Sequence, residues 1–177
     1  MRAFKFILLA VCLIFIAKVH AKNDAAKTQE MEQQEMEKIA MKNLEEEQKF
    51  LAENKTKEGV IETPSGLQYK FISEGNGPVA TAMDTVEVNY IGTLLDGTKF
   101  DSSYDKGKTF MARMSSTGLI KGWAEGLQLV PEGSKIILYI PSKLAYGNRA
   151  RGPVIQANST LVFEIDVIKV RKFMEEK

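Results

Sequence analysis

No glycine or proline occurs before Gly59, and from there 13 glycines and five prolines divide the chain. The first part has nothing to interrupt a helix, whereas the second is cut into pieces of strand length. A helical first part and a compact second part of short elements are therefore expected. The 177 residues suffice for one ordinary domain with an appendage. Residues 22–58 are rich in Glu, Gln, Lys, Met and Ala, and Glu45/Lys49 and Glu53/Lys57 fall at i,i+4 in the favourable order. Only a partial apolar face accompanies them, made of Met36, Ile39, Ala40, Leu44, Phe50 and Leu51. A heptad register through Leu44 and Leu51 puts Glu37 and Glu47 on the seam, which argues against a self-sufficient coiled coil. The expectation is a solvated helical arm over residues 22–58. A weak homodimer or a client-holding surface through this face is the alternative.

The first 21 residues follow another pattern. Arg2 and Lys5 flank an apolar run from Phe6 to Ala17, and small residues Val19 and Ala21 stand at cleavage-site spacing. This is the layout of a secretory signal peptide over residues 1–21, with an uncleaved membrane anchor as the alternative. The expected location is the periplasm or the exterior, or else the lumen of the endoplasmic reticulum. The single cysteine, Cys12, and the single histidine, His20, both lie in this segment. Cleavage leaves no thiol, imidazole or disulfide, which excludes Cys/His and Ser/His/Asp mechanisms and metal centres built on Cys or His. It also removes Arg2, Lys5 and Lys18, so that 24 basic against 23 acidic residues become 21 against 23. With no basic field, nucleic acid is not an expected partner.

Residues 59–177 read as a domain of short strands. Gly66 to Ser73 (GLQYKFIS) alternates, as do Val86, Val88 and Tyr90 with Glu87 and Asn89. Asp96-Gly97 is expected to form a type I′ hairpin turn, which needs φ > 0 at both central positions. Phe110 to Met114, Ser134 to Ile140 and Leu161 to Val167 add further strands. Leu119 to Val130 places Ile120, Trp123, Leu127 and Val130 at helical spacing. Five or six short strands with one short helix make an α+β domain with an antiparallel sheet.

Tyr90, Phe100, Asp101, Phe110, Ile120, Trp123, Tyr146, Ile155 and Phe163 stand near the ends of these elements, and strand logic does not account for them. Each alone reads as core. Together they read as a pocket lined with rings around a few polar groups. The stretches that hold them, YIGTLLDGTKFDSS, GLIKGWAEGL, LAYG and STLVFEIDVI, resemble in order and spacing the motifs of FKBP-type peptidyl-prolyl cis-trans isomerases. The resemblance covers about Gly66 to Lys172, and Phe50 to Tyr69 is similar to the secreted, macrophage-infectivity-potentiator-like members with helical N-terminal extensions. It implies a twisted antiparallel sheet wrapped around one short helix, preceded by the helical arm. Tyr90, Phe100, Asp101, Tyr146 and Phe163 are the implied catalytic residues. Phe110, Leu119, Ile120, Trp123 and Ile155 are the implied substrate-binding ones. Trp123 becomes the floor and the phenylalanines and Tyr90 the walls. The Ile120 N–H and Tyr146 O–H become donors to substrate, Asp101 an acceptor at the rim, and Ile155 a flank of the entrance.

The implied activity is rotation about X-Pro bonds in folding polypeptides, with no cofactor or metal. Proline-containing clients and macrolides of the rapamycin or tacrolimus type are the implied partners. A proline-peptide binding module or a chaperone with little turnover is the alternative. Two places depart from the family pattern. Lys106 stands where many members have Arg, and Ile155-Gln156-Ala157-Asn158 stands where relatives commonly have prolines. Because the arm supplies none of the pocket residues, a chain starting near Gly59 is expected to fold and to turn over short peptides.

Overall fold

The computed structural model describes residues 2–173, with side chains from residue 26 onward. Helix α1 spans Arg2–Asn54. Met1–Ile39 and Ala40–Lys177 form two compact units. In the first, residues 26–38 are exposed, Met31 and Met36 among them. The expected signal peptide falls on residues whose side chains lie outside the described ones.

The second unit holds strands β1 (Val60–Glu62), β2 (Gln68–Ser73), β3 (Thr85–Thr93), β4 (Lys99–Ser102), β5 (Phe110–Arg113), β6 (Lys135–Ile140) and β7 (Leu161–Arg171), with helix α2 (Lys121–Gly126). They form one antiparallel sheet in the order β1-β2-β6-β7-β3-β4, with β5 also paired to β3. The α+β reading holds. The strand beyond the expected five or six is β1, whose three residues are too few to show alternation.

Alternation is what makes the sheet one-sided. Buried residues recur at every second position of β3, β6 and the first part of β7. The register sets Ile136 opposite Ile165, Leu138 opposite Phe163 and Tyr90 opposite Ile165. One face is thus continuously apolar, and α2 lies against it. A Cβ on Gly122 would stand 2.4 Å from Ile140 Cγ2, and one on Gly126 2.8 Å from Leu138 Cδ1. Two glycines one turn apart therefore let the helix approach closer than any side chain permits, and Trp123 and Leu127 fill the space beside them at 3% and 1% exposure.

Two local expectations are corrected. The helix expected over Leu119–Val130 is only Lys121–Gly126: Ile120 is its extended N-cap. Beyond Gly126 the chain continues in tight turns, with Gln128 N–H donating to Glu125 O and Leu129 N–H to Gly126 O, both at 3.1 Å. Gly126 weakens helix propagation there, and Pro131 lies just ahead. The hairpin turn is not type I′. Gly97 has φ 85°, but Asp96 is not in the left-handed region. Gly97 N–H donates to Leu94 O at 3.0 Å, so Leu95-Asp96 form the bend and Gly97 follows as the bulge residue.

The last turns of α1 belong to the sheet's unit. Asn54, 1% exposed, donates from Nδ2 to Gln68 Oε1 at 2.9 Å, and Gln68 Nε2 donates to Leu51 O at 2.8 Å. Phe50 packs on Tyr139 with ring centroids 5.7 Å apart. Glu47, 7% exposed, accepts hydrogen bonds from Ser142 and Thr160. The domain boundary expected at 58/59 thus falls inside a compact unit that starts at Ala40. Of the expected pairs along the arm, neither Glu45/Lys49 nor Glu53/Lys57 is an ion pair among the described residues. Lys42–Glu46 is, at 3.5 Å, and Lys57 stands 5.5 Å over the Phe50 ring instead.

Two outcomes follow from this packing. A chain beginning at Ala40 should melt like the full chain. One beginning at Gly59 should melt well below it, because each buried group left without its partner costs about 1–3 kcal/mol. Equal melting curves for the two shortened chains would show that the helix only rests on the sheet. Gly122→Ala should lose about 1–3 kcal/mol in urea denaturation through overpacking against Ile140, whereas Gly97→Ala, with open space around it, should strain only its own turn.

Candidate active site

Strand β3 presents Tyr90 and Gly92 to the apolar face, and α2 brings Trp123 down between them and β7. Trp123 meets Tyr90 and Phe163 at ring-centroid distances of 5.1 Å each and Phe110 at 5.7 Å, with interplanar angles of 83–89°. Phe100 meets Phe163 at 5.5 Å and 86°. These edge-to-face contacts are the arrangement the ring quadrupoles favour, so the walls hold one another upright. Gly92 makes room for two of them. A Cβ there would lie 2.7 Å from the Phe163 ring and 2.8 Å from the Phe100 ring.

The rings enclose a cleft of about 550 Å³. All the residues singled out from sequence line it: Tyr90, Phe100, Asp101, Phe110, Leu119, Ile120, Trp123, Tyr146, Ile155 and Phe163. Arg151, Gly152, Pro153 and Val154 line it as well and were not among them. Arg151 carried a signal, the local positive charge of its loop. Its guanidinium stands 5.9 Å from the Tyr146 ring, and its backbone N–H donates to Ile155 O at 2.7 Å.

One wall carries a polar triad. The Tyr90 phenol donates to Asp101 Oδ2 at 2.7 Å, and Lys106 Nζ reaches Asp101 Oδ1 at 2.5 Å and the Tyr90 oxygen at 3.1 Å. Ser102 N–H donates to Asp101 Oδ1 at 2.8 Å. Lys106 thus holds the carboxylate as a point charge, without the planar fork an arginine would bring. Partial burial pushes the Asp101 carboxyl up, but the Lys106 and Tyr90 hydrogen bonds together outweigh it and hold the group below its ordinary range. Burial, then the Asp101 acceptor, raise the Tyr90 phenol, and the Asp101 hydrogen bond raises Lys106. The pair is neutral overall and its charges face each other.

The donors at the mouth are free. Among the described residues neither the Ile120 N–H nor the Tyr146 phenol has a protein partner. The buried Trp123 Nε1 has none either. An apolar box with unpaired donors at its entrance is shaped for a group that brings both a compact apolar ring and a carbonyl. The class so defined is a ring-lined cleft set on an antiparallel sheet that covers a short helix.

The comparisons agree with that class. The family model described as FKBP-type peptidyl-prolyl cis-trans isomerase matches residues 77–168. That of the domain amino terminal to it matches residues 15–71. The chain belongs to this family. It is 45% identical over 157 residues to an isomerase called FkpA of Aeromonas hydrophila, which covers 89% of this chain and 57% of that one. It is 46% identical to the outer membrane protein MIP of Legionella longbeachae, covering 78% and 58%. It is 41% identical to the 22 kDa FKBP-type isomerase of Escherichia coli K12, covering 88% and 70%. The chain thus spans somewhat over half the length of the first two relatives. The crystal structure of FkpA from Escherichia coli superposes with a TM-score of 0.81 at 37% identity, over 87% of this chain and 71% of that one.

The titration shifts predict a flat pH response. A depressed Asp101 contributes stability that is lost only as pH falls through its lowered folded value, well under neutrality. A raised Lys106 contributes stability that is lost only as pH rises through its raised folded value, well above neutrality. Ligand affinity at the cleft, read by the single tryptophan's fluorescence, should therefore be constant from pH 6 to 8. A sigmoidal change within that window would mean that another titrating group faces the cleft.

Proposed function

We propose that the chain is a peptidyl-prolyl cis-trans isomerase that turns X-Pro bonds in polypeptides folding outside the cytoplasm. The observation that carries this reading is Trp123 boxed by three perpendicular rings beside the unpaired Ile120 N–H. An amide resists rotation by about 18–20 kcal/mol because resonance gives its C–N bond double-bond character. At X-Pro the two isomers lie within about 0.5–1 kcal/mol of each other, so the barrier and not the equilibrium limits folding. The twisted transition state has lost that resonance, and its carbonyl oxygen carries less negative charge and needs less water. A dry cleft that withholds water from the planar amide therefore binds the twisted form better, and only that difference accelerates the reaction.

In this reading the prolyl ring rests on Trp123 between Tyr90, Phe110 and Phe163. The Ile120 N–H takes a substrate carbonyl and the Tyr146 phenol another acceptor on the segment, while Leu119 and Ile155 flank it. The Tyr90–Asp101–Lys106 triad keeps the Phe100 wall polar on one side without placing a net charge in the cleft. No proton moves. An envelope location is supported by the layout of residues 1–21 and by the Legionella longbeachae relative, which is named an outer membrane protein. Among the described residues no helix is long and apolar enough to cross a membrane. The exposed Met31 and Met36 of the first unit suit a weak, adaptable contact with client segments.

A macrolide of the rapamycin type should occupy the same cleft. In a protease-coupled assay on a proline tetrapeptide, the chain should be active, rapamycin should abolish the activity, and the fluorescence of Trp123 should change in parallel. Trp123→Ala should remove both responses and about 3–5 kcal/mol of stability. Saturating rapamycin without effect on either signal would sink the reading. Peptide binding without turnover would make the cleft a proline-segment binding module instead.

A further inference from the structure

We propose that Glu47 of α1 is a positioning residue for the rim of the cleft: through Ser142 and Thr160 it holds the turn that carries Tyr146 and the loop that carries Ile155. This inference rests on the isomerase reading of the cleft. Glu47 lies outside the cleft and is 7% exposed. Its Oε2 accepts from Ser142 N–H at 2.5 Å and from Thr160 Oγ1 at 2.9 Å, and its Oε1 accepts from Ser142 Oγ at 3.1 Å. These three donors converge on one buried carboxylate. An amide in its place would turn its N–H₂ to the Ser142 hydroxyl, which would then have to accept, and would exchange a charged acceptor for a neutral one, whereas an alkyl side chain would leave the Ser142 N–H without an acceptor.

Ser142 is the hub of the turn. Its carbonyl oxygen accepts from Ala145 N–H at 2.9 Å and from Gly147 N–H at 2.8 Å, so the chain is folded around it on either side of Tyr146. The Tyr146 phenol has no hydrogen bond of its own among the described residues, and the side chain is 37% exposed. Its ring is met by the Arg151 guanidinium at 5.9 Å, and its backbone is folded around Ser142. The same helix holds the second rim segment. Gly147 O accepts from Asn158 N–H at 2.8 Å, and Asn158, in the left-handed region at φ 59°, donates from Nδ2 to Ala40 O at 3.0 Å. Asn43 Nδ2 donates to Ala157 O at 2.8 Å. Ala40, Asn43 and Glu47 thus lie along one side of α1 and grip residues 142–160 at successive points. A helix that supplies no cleft residue decides where two of them stand.

A role limited to stability and a positioning role differ in what they do to a protein that is still folded. The test is a double-mutant cycle in the full chain, measured well below every melting temperature, with kcat/KM for a proline tetrapeptide and, independently, its Kd by Trp123 fluorescence. Glu47→Gln, which trades charge-assisted bonds for neutral ones, should weaken binding about three- to ten-fold, the worth of one hydrogen bond. Tyr146→Phe should do the same. Combined, they should fall clearly short of the product of the two single effects, because the part of the Glu47 effect that runs through Tyr146 has already been lost with the hydroxyl. Val170→Ala, buried at the far end of β7, should lower the melting temperature without changing Kd. Ser142→Ala removes only the weaker bond to Oε1 and carries the same cycle if Glu47→Gln does not fold. Full multiplicativity of the two effects, or a Glu47→Gln chain that melts early yet binds like wild type, overturns the proposal. A wild-type chain that binds the peptide without turning it over overturns the isomerase reading alone, and the cycle is then read from Kd. One that does neither overturns both.

Discussion

The close approach of α2 to the sheet governs everything the cleft contains. Gly122 and Gly126 put the helix backbone against Ile140 and Leu138 at distances no side chain could tolerate. Only at that depth does the indole of Trp123 reach the rings on β3, at the start of β5 and on β7 together. A larger residue at either glycine would lift the helix, and the perpendicular contacts at 5.1 Å would open first. The floor of the cleft and the core of the domain are thus the same packing event. Trp123 is counted in both.

A site made this way suits the proposed reaction, which uses no nucleophile. In that reading rigid rings and withheld water act on a substrate whose charge distribution changes on twisting, and such action needs fixed geometry more than tuned acidity. Asp101, the carboxylate beside the Phe100 wall, is matched by Lys106 and Tyr90 so that it remains charged while the triad contributes no net field. The lysine does this at 2.5 Å from a flexible stem, where an arginine would bridge both oxygens in a plane. The triad therefore stiffens the Phe100 wall through contact and charge, and it leaves the mouth to the unpaired Ile120 N–H and the Tyr146 phenol.

Much of this was legible in the sequence because alternation and ring placement are local signals. Phe100 and Asp101 set a ring beside a carboxylate inside β4, an arrangement that stability alone does not explain, and both line the cleft. Gly92 was legible in principle as a glycine inside a strand pattern, but only the paired register shows that two rings need its missing Cβ. The Asp96-Gly97 turn was misread because the dipeptide fits two loop lengths, and the ladder decides between them. Arg151 and the segment through Val154 were missed as lining because a loop without periodicity gives no direction to its side chains.

Glu47 is the case where one observation supported two opposite conclusions. In a heptad reading, a carboxylate on the apolar seam is a defect, and it argues against a self-sufficient coiled coil. A buried carboxylate is tolerated only where enough donors meet it. Sequence shows the seam position but not the donors, since Ser142 and Thr160 lie 95 and 113 residues further along the chain. From Ala40 to Asn54 one side of the helix meets the domain's own strands and loops, and Asn43, Glu47 and Asn54 make the polar contacts there. Of the two carboxylates that weaken the case for a helix pair, Glu37 and Glu47, the second is therefore one that fastens this helix to the rim of the cleft.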